Sequence, residues 1–163
     1  MEALSFIVDG EFFAIDVSLV QTVVRKIPVT PVPTAPDEIV GIANFKGRVI
    51  TVLCLKSLLE RSESKPLRHP DQTYNTVIFK PLYGDEDQFG LVIDKSGDLI
   101  KISKEDTNPY FHSAEPESYS CFSSIAEIDG TLYRMVDLHQ ISERYTAVTD
   151  NGGVLPETYE TEA

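Results

Sequence analysis

The residues able to do chemistry are few, and their spacing argues against most of it. His69, His112 and His139 lie far apart, with no carboxylate or thiol at ligand spacing, so no metal site is expected. Cys54 sits among Val52, Leu53 and Leu55, and Cys121 opens an apolar run. Both read as buried structural thiols, because a nucleophile needs a poised base beside it. At 67 positions apart they form neither a disulfide framework nor a zinc site. Asp85-Glu86-Asp87 is not followed by the spaced acidic loop with a central glycine that calcium needs, and reads as a solvated hairpin tip. There is no glycine loop to cradle phosphate and no Gly-x-Ser-x-Gly elbow. Neither a cofactor nor catalysis is expected.

The charge is uneven. The chain has 163 residues with 14 Lys+Arg, 26 Asp+Glu and a formal net charge of −12. Residues 1–70 hold eight acidic and eight basic side chains, whereas residues 71–163 hold eighteen and six. So acidic a second half repels phosphate backbones and disfavours nucleic acid as a partner. The neutral half keeps Arg25, Lys26, Lys46, Arg48 and Lys56, which read as solvated charges or as a local basic patch. No window approaches the ~18 apolar residues of a membrane span. Met1-Glu2-Ala3-Leu4 has no basic leader pattern, so a cytoplasmic protein without membrane insertion is expected.

The elements that must position these residues are short apolar runs between turn signals, which favour strands. Leu4–Val8, Asp9-Gly10 and Glu11–Ile15 predict a hairpin. Asp16, or Ser18, caps a helical turn bearing Val17, Val20, Val23 and Val24, kept short because valine is a poor helix former. Pro28, Pro31, Pro33 and Pro36 fix an extended segment. Gly41–Phe45, Lys46-Gly47 and Arg48–Leu53 predict a second hairpin, followed by a short helix over Lys56–Glu60 with Leu55, Leu58 and Leu59 inward. Residues 61–73 read as a linker. Strands at Thr76–Lys80 and Phe89–Ile93 flank a turn at Tyr83–Asp87, and Leu99–Ile102 is another strand. Residues 105–118 read as loop. A last hairpin spans Cys121–Ile128 and Thr131–Val136, and a last helix Leu138–Tyr145. Residues 146–163 read as a flexible acidic tail.

The halves repeat. Ile42-Ala43-Asn44-Phe45-Lys46-Gly47 stands 83 positions before Ile125-Ala126-Glu127-Ile128-Asp129-Gly130, in unbroken register through Val49/Leu132, Val52/Met135, Leu55/Leu138 and Leu58/Ile141. A hairpin-and-helix unit used twice predicts two small β-barrels, and barrels this small must share a hydrophobic seam.

FIVDGEFFAIDVSLVQTVV followed by PVPTAPDEIVGIANFKGRVITVLCL resembles the first half of the CheW family of chemotaxis adaptors. The matching residues are Ala14-Ile15-Asp16, Val20-Gln21-Thr22-Val23, Pro36, Gly41, Asn44-Phe45-Lys46-Gly47 and Leu55. The second half matches through Phe89–Asp94, Asp98, Asp129-Gly130 and Val136-Asp137-Leu138. The resemblance implies an all-β fold of two SH3-like five-stranded barrels in a single domain over residues 1–145. The first barrel is expected at about 14–70 and the second at about 76–135, with terminal segments crossing between them. It implies no catalysis, and a scaffold that couples chemoreceptor signalling tips to the regulatory domain of a CheA-type histidine kinase at membrane-associated arrays. Carried over, the receptor-binding residues are Val20, Thr22, Val23, Asn44 and Lys46, with Gly41, Gly47 and Gly130 as turn glycines. Lys46 has the best case for contact, since a cation at a hairpin corner has no core role. Asn44 also reads as a turn-stabilising side chain, and Val20 and Val23 also read as core.

Thr22, Lys46, Thr51 and Cys54 depart from the family's Glu, Arg, Pro and Asp. These departures fit a divergent adaptor, in the flagellar pathway or in another such as pilus-driven motility. The rival classes are a nucleic-acid-binding double barrel, which wants a basic aromatic face, and a thiol enzyme, which wants a reactive Cys54 or Cys121.

Overall fold

The computed structural model describes residues 1–60, 72–81, 88–109 and 121–143. In chain order the elements are β1 (Glu2–Val8), β2 (Glu11–Asp16), β3 (Val20–Pro28), β4 (Ile39–Phe45), β5 (Arg48–Cys54) and α1 (Leu55–Glu60). There follow β6 (Thr73–Phe79), β7 (Phe89–Ile93), β8 (Lys95–Lys101), β9 (Thr107–Pro109), β10 (Phe122–Ile128) and β11 (Thr131–Val136). A helix over residues 138–143, α2, comes last.

Three hairpins turn on the same device. Asp9-Gly10, Lys46-Gly47 and Asp129-Gly130 have φ pairs of 52° and 77°, 50° and 83°, and 51° and 79°. Two successive left-handed residues match the right-handed twist of the strands they join. After β2, the Asp16 carboxylate accepts the Ser18 N–H at 2.9 Å and caps a 3₁₀ turn of Val17–Leu19.

The helical turn expected to run on through Val24 stops there. Val20, Val23 and Val24 belong to β3, which pairs antiparallel with β6. Register shifts between Val20 and Thr22, and between Val24 and Ile27, break the period-two pattern and leave valines at helix-like spacing.

The strands form two curled sheets, ordered β3-β6-β7-β5-β4 and β8-β1-β2-β11-β10-β9. The orders are equivalent. β5 and β11 each pair parallel with the second strand of a hairpin, β7 and β2 respectively. The first strands of those hairpins, β6 and β1, pair antiparallel with β3 and β8. The chain after β3 returns to β4, where Thr30 and Ile42 exchange backbone bonds of 2.8 and 2.9 Å. β9 likewise returns to β10, pairing Asn108 with Ile125, the repeat partner of Ile42. This geometry is consistent with SH3-like barrels.

Two expectations are corrected. The second sheet has six strands, not five, because Thr107–Pro109, expected as loop, pairs with β10. The boundary between the halves also differs: β6 and β7, read into the second barrel, pair with β3 and β5 in the first sheet. The N-terminal hairpin takes their place in the second sheet. Position along the chain hides this, since β2 and β11 pair across more than a hundred residues. Residues 61–71, the turn at 83–87, His69, His112 and the tail from 144 lie outside the described residues, as do the side chains of Leu58 and Leu59.

Alternate residues of one strand feed different cores. Ile50 and Val52 join a cluster inside the five-stranded sheet with Ile27, Val40 and Ile78. Ala14, Ala126 and Met135 lie inside the six-stranded sheet. The largest cluster is the shared seam, in which Phe6, Phe13 and Ile15 from β1–β2 join Val77, Phe79 and Leu91 from β6–β7. Both faces of these strands are therefore buried, which explains runs such as Thr76–Phe79 without alternation. Each large side chain buried there contributes about 1.5–3 kcal/mol. Phe6, Phe13 and Phe122 stack at centroid spacings of 5.7 and 5.8 Å. The Arg134 guanidinium lies 6.0 and 5.9 Å from the last two rings and pairs with Glu11 at 3.2 Å.

Candidate functional site

The β4–β5 corner is built from its own sequence. Asn44 Oδ1 accepts the Gly47 N–H at 3.0 Å, so its amide holds the turn together. Gly47 supplies the second left-handed residue, and a side chain there would meet open space. Lys46 is exposed, with Nζ 5.3 Å from the Phe45 ring centroid. Val49, 68% exposed, stands on the same corner. A cation beside an exposed aliphatic side chain suits a surface carrying both carboxylates and apolar groups.

Gly41, expected as a turn glycine, lies within β4. A Cβ there would collide with the Thr30 carbonyl, so the absence of a side chain permits the Thr30–Ile42 closure. Gly130, at φ 79°, is the turn glycine of the equivalent corner.

Val20, Thr22 and Val23 lie on β3, all half-buried. Val20 and Val23 pack against the seam, so both have a core role. The bulge between Val20 and Thr22 turns Gln21 outward, where Gln21 Oε1 accepts the Gln88 Nε2–H at 2.7 Å. Gln88 is buried and also donates to the Phe79 carbonyl at 3.0 Å. Thr30, two residues beyond β3, bridges Ile42, two residues before Asn44. The five expected receptor residues therefore form two groups joined by β3.

Beside the first group lies a feature that sequence reasoning missed. A groove of about 300 Å³ is lined by Val23, Arg25 and Lys26 of β3, Asn75 of β6, and Ile93, Asp94, Lys95 and Ser96 where the chain crosses from β7 into β8. Asn75 holds its floor: Oδ1 accepts the Lys26 N–H at 3.1 Å and Nδ2 donates to the Asp94 carbonyl at 3.2 Å. Arg25 and Lys26 were visible as cations. No local pattern places them beside Lys95, because β3–β6 pairing and the crossover bring them together.

Among the described residues, the groups with chemical potential are dispersed. Cys121 is fully buried, and its carbonyl accepts the Asp137 N–H at 2.7 Å. Cys54 is half-buried against the inner core of the five-stranded sheet. Burial, and then the neighbouring Cys54, push the Tyr74 phenol above its ordinary value. The Ser103 N–H and hydroxyl hold the Asp106 carboxyl below the usual aspartate range. His139 is exposed on α2. Among the described residues, no three His, Cys, Asp or Glu side chains cluster to hold a metal, and no helix is long and apolar enough to cross a membrane.

The profile of the CheW-like domain matches residues 2–145. The chain belongs to the CheW-like domain family. Among its relatives, the chemotaxis protein CheW of Rhizobium meliloti is 24% identical over 144 residues, covering 86% of each chain. That of Thermotoga maritima is 25% identical over 145 residues, covering 89% of each. In fold, the chain is similar to the crystal structure of the scaffolding protein TtCheW from Thermoanaerobacter tengcongensis. The TM-score is 0.69 at 21% identity, over 83% of this chain and 88% of that one. The CheW-like match spans both sheets, including the N-terminal hairpin that completes the second.

Proposed function

We propose that this chain is a non-catalytic adaptor that couples chemoreceptor signalling tips to the regulatory domain of a CheA-type histidine kinase, on the cytoplasmic side of receptor arrays. The observation that carries the reading is the CheW-like match over residues 2–145. An adaptor needs two separated faces on a stiff body, and two barrels sharing one seam supply such a body. The receptor face comprises Val20, Thr22 and Val23 on β3, with Asn44 and Lys46 at the β4–β5 corner. Val20 and Val23 set the lie of β3, and Lys46 offers charge. Thr22 and Lys46, where the family pattern has Glu and Arg, favour a receptor outside the flagellar pathway as the second reading. Lysine keeps the charge of arginine but loses its planar fork.

The test is affinity purification of the tagged protein from its host, followed by reconstitution with the recovered kinase and receptor fragment. The reading expects a CheA-type kinase in the eluate, and kinase activity that responds to receptor only when the adaptor is present. A receptor-coupled kinase indifferent to its removal would overturn the reading, and the identity of the kinase distinguishes the two pathways.

A further inference from the structure

We propose that the acidic C-terminal segment of this chain, Asp150 to Glu162, folds back onto the cationic rim between β3 and the β7–β8 crossover and masks it from acidic partners. The contact is made by charge, with Arg25, Lys26 and Lys95 on one side and Asp150, Glu157, Glu160 and Glu162 on the other. It is a property of the chain by itself and does not rest on the receptor reading.

The rim concentrates unmatched charge. In a chain of net −12, the groove of about 300 Å³ gathers three cations and one carboxylate. Arg25, Lys26 and Lys95 are exposed, and none pairs with a carboxylate among the described residues. Neighbours on a regular strand face opposite sides. The bulge between Val24 and Ile27 breaks that alternation, so the adjacent cations Arg25 and Lys26 are both exposed. Lys26 takes a left-handed φ of 55°, and Asn75 Oδ1 holds its N–H at 3.1 Å. The one carboxylate, that of Asp94, accepts the Asp9 N–H at 2.7 Å and so serves the fold. Ile93 is 3% exposed and Val23 packs against the seam, so the rim offers charge and not apolar surface.

The matching charge lies in the same chain. Residues 146–163 hold four carboxylates, those of Asp150, Glu157, Glu160 and Glu162, and no Lys or Arg. Glu157 and Glu162 stand 14 and 19 residues beyond Glu143, a reach of about 45–65 Å of extended chain. A folded unit of this size has a radius of gyration of about 14 Å, so its whole surface is within reach. The other acidic run, Asp85-Glu86-Asp87, falls between Phe79 and Phe89, at the ends of β6 and β7 opposite the Asn75–Ile93 pair. A single exposed charge pair is weak. Tethering raises the effective concentration of the segment to the order of millimolar, at which several weak pairs act together.

The test uses the full chain, wild type and D150N/E157Q/E160Q/E162Q. Neutralising the segment should shift the backbone amide NMR signals of Arg25, Lys26, Lys95 and Ser96 and leave those of the Lys46 corner in place. The difference should fall by half or more between about 20 and 500 mM salt, as the Debye length shrinks from roughly 20 Å to roughly 4 Å. In R25Q/K26Q/K95Q, which should melt as wild type does, the same neutralisation should move no groove signal. A hexaglutamate probe should bind the neutralised form at least about threefold more tightly than wild type, since the segment no longer competes. Groove signals indifferent to the charges of the segment overturn the proposal, as does equal binding of hexaglutamate to both forms. Shifts that grow with protein concentration overturn it too, by placing the segment on a second copy. No receptor takes part, so failure here leaves the receptor reading untouched.

Discussion

The backbone N–H of Asp9 donates to the carboxylate of Asp94 at 2.7 Å. Asp9 opens the turn of the N-terminal hairpin in the six-stranded sheet, and Asp94 is where the chain leaves the five-stranded one. The Asp94 N–H also donates to the Ile7 carbonyl at 2.9 Å, and Lys56 Nζ on α1 lies 3.3 Å from Asp9 Oδ2. Together with Asn75 and the Lys26 backbone, these contacts make a polar chain across the seam, from β3 to α1. Asp94→Ala should therefore cost about 1 kcal/mol, the scale of a hydrogen bond to an exposed charged group. Lys56→Ala should cost less than about 0.5 kcal/mol, because that ion pair is 38% and 62% exposed. Urea unfolding of both variants checks the order, and an equal or larger loss for Lys56→Ala refutes it.

Gly41 and Gly47 should respond differently to substitution. At Gly47 the space is open and only the left-handed backbone resists, so Gly47→Ala should cost about 1–2 kcal/mol. Gly47→Asn should recover part of that, because asparagine tolerates the conformation. Gly41→Ala meets the Thr30 carbonyl and should cost more, at or above the ~1–3 kcal/mol of ordinary overpacking. Gly41→Asn should be no better. Thermal melts of the four variants decide, and rescue of Gly41 by Asn would contradict the steric account.

Lys46→Glu separates contact from folding. Its ammonium is exposed over Phe45, so the change should alter stability by less than about 1 kcal/mol. If the corner meets an acidic receptor surface, binding should weaken by about 1–3 kcal/mol, and more at low salt. Glu105→Lys, an exposed change on the six-stranded side, is the control expected to leave binding intact. Calorimetric titration with a receptor fragment measures both, and full binding by folded Lys46→Glu removes the corner from the receptor face.

A thiol reagent should modify Cys54 slowly and Cys121 only after denaturation, given half burial of the first and full burial of the second. Rapid stoichiometric reaction of Cys121 in native buffer would point back to a thiol enzyme.

Acid should loosen the 3₁₀ turn at residues 104–106. The Ser103 N–H and hydroxyl bond the Asp106 carboxylate at 3.1 and 2.9 Å, which lowers its pKa in the folded chain. A depressed folded value means that the carboxylate stabilises the turn above the ordinary aspartate pKa of about 3.9. That contribution is lost as pH falls through the lower folded value. NMR titration of the Asp106 carboxyl should place its midpoint below that of Asp106 in Ser103→Ala. Identical midpoints would rule out the hydroxyl as a cause and leave the Ser103 N–H alone.

How much of this was legible in the sequence depends on how local each cause is. The hairpin turns could be read because Asp-Gly and Lys-Gly state their own backbone conformation. The Asn44–Gly47 corner was visible for the same reason. Val20 to Val24 misled because two bulges shift the strand's alternation into a helical spacing. Membership of the sheets was not visible, since nothing in Phe13 or Ala14 names Arg134 and Met135 as parallel partners. The groove lay hidden for that reason too: Arg25, Asn75 and Lys95 are neighbours only after pairing.

The use of the first hairpin in the last-completed sheet has a consequence during synthesis. β1 and β2 leave the ribosome early, yet β8 and β11, their partners, follow only after the whole run from β3 to β7 has emerged. The five-stranded barrel can close by itself in that interval, because all its strands are contiguous. The waiting hairpin carries Phe6, Phe13 and Ile15, and the surface that fits them is the Val77, Phe79 and Leu91 side of the barrel just closed. The first barrel is thus expected to act as a holdfast on the nascent chain, keeping a sticky hairpin docked until the rest of its own barrel is translated.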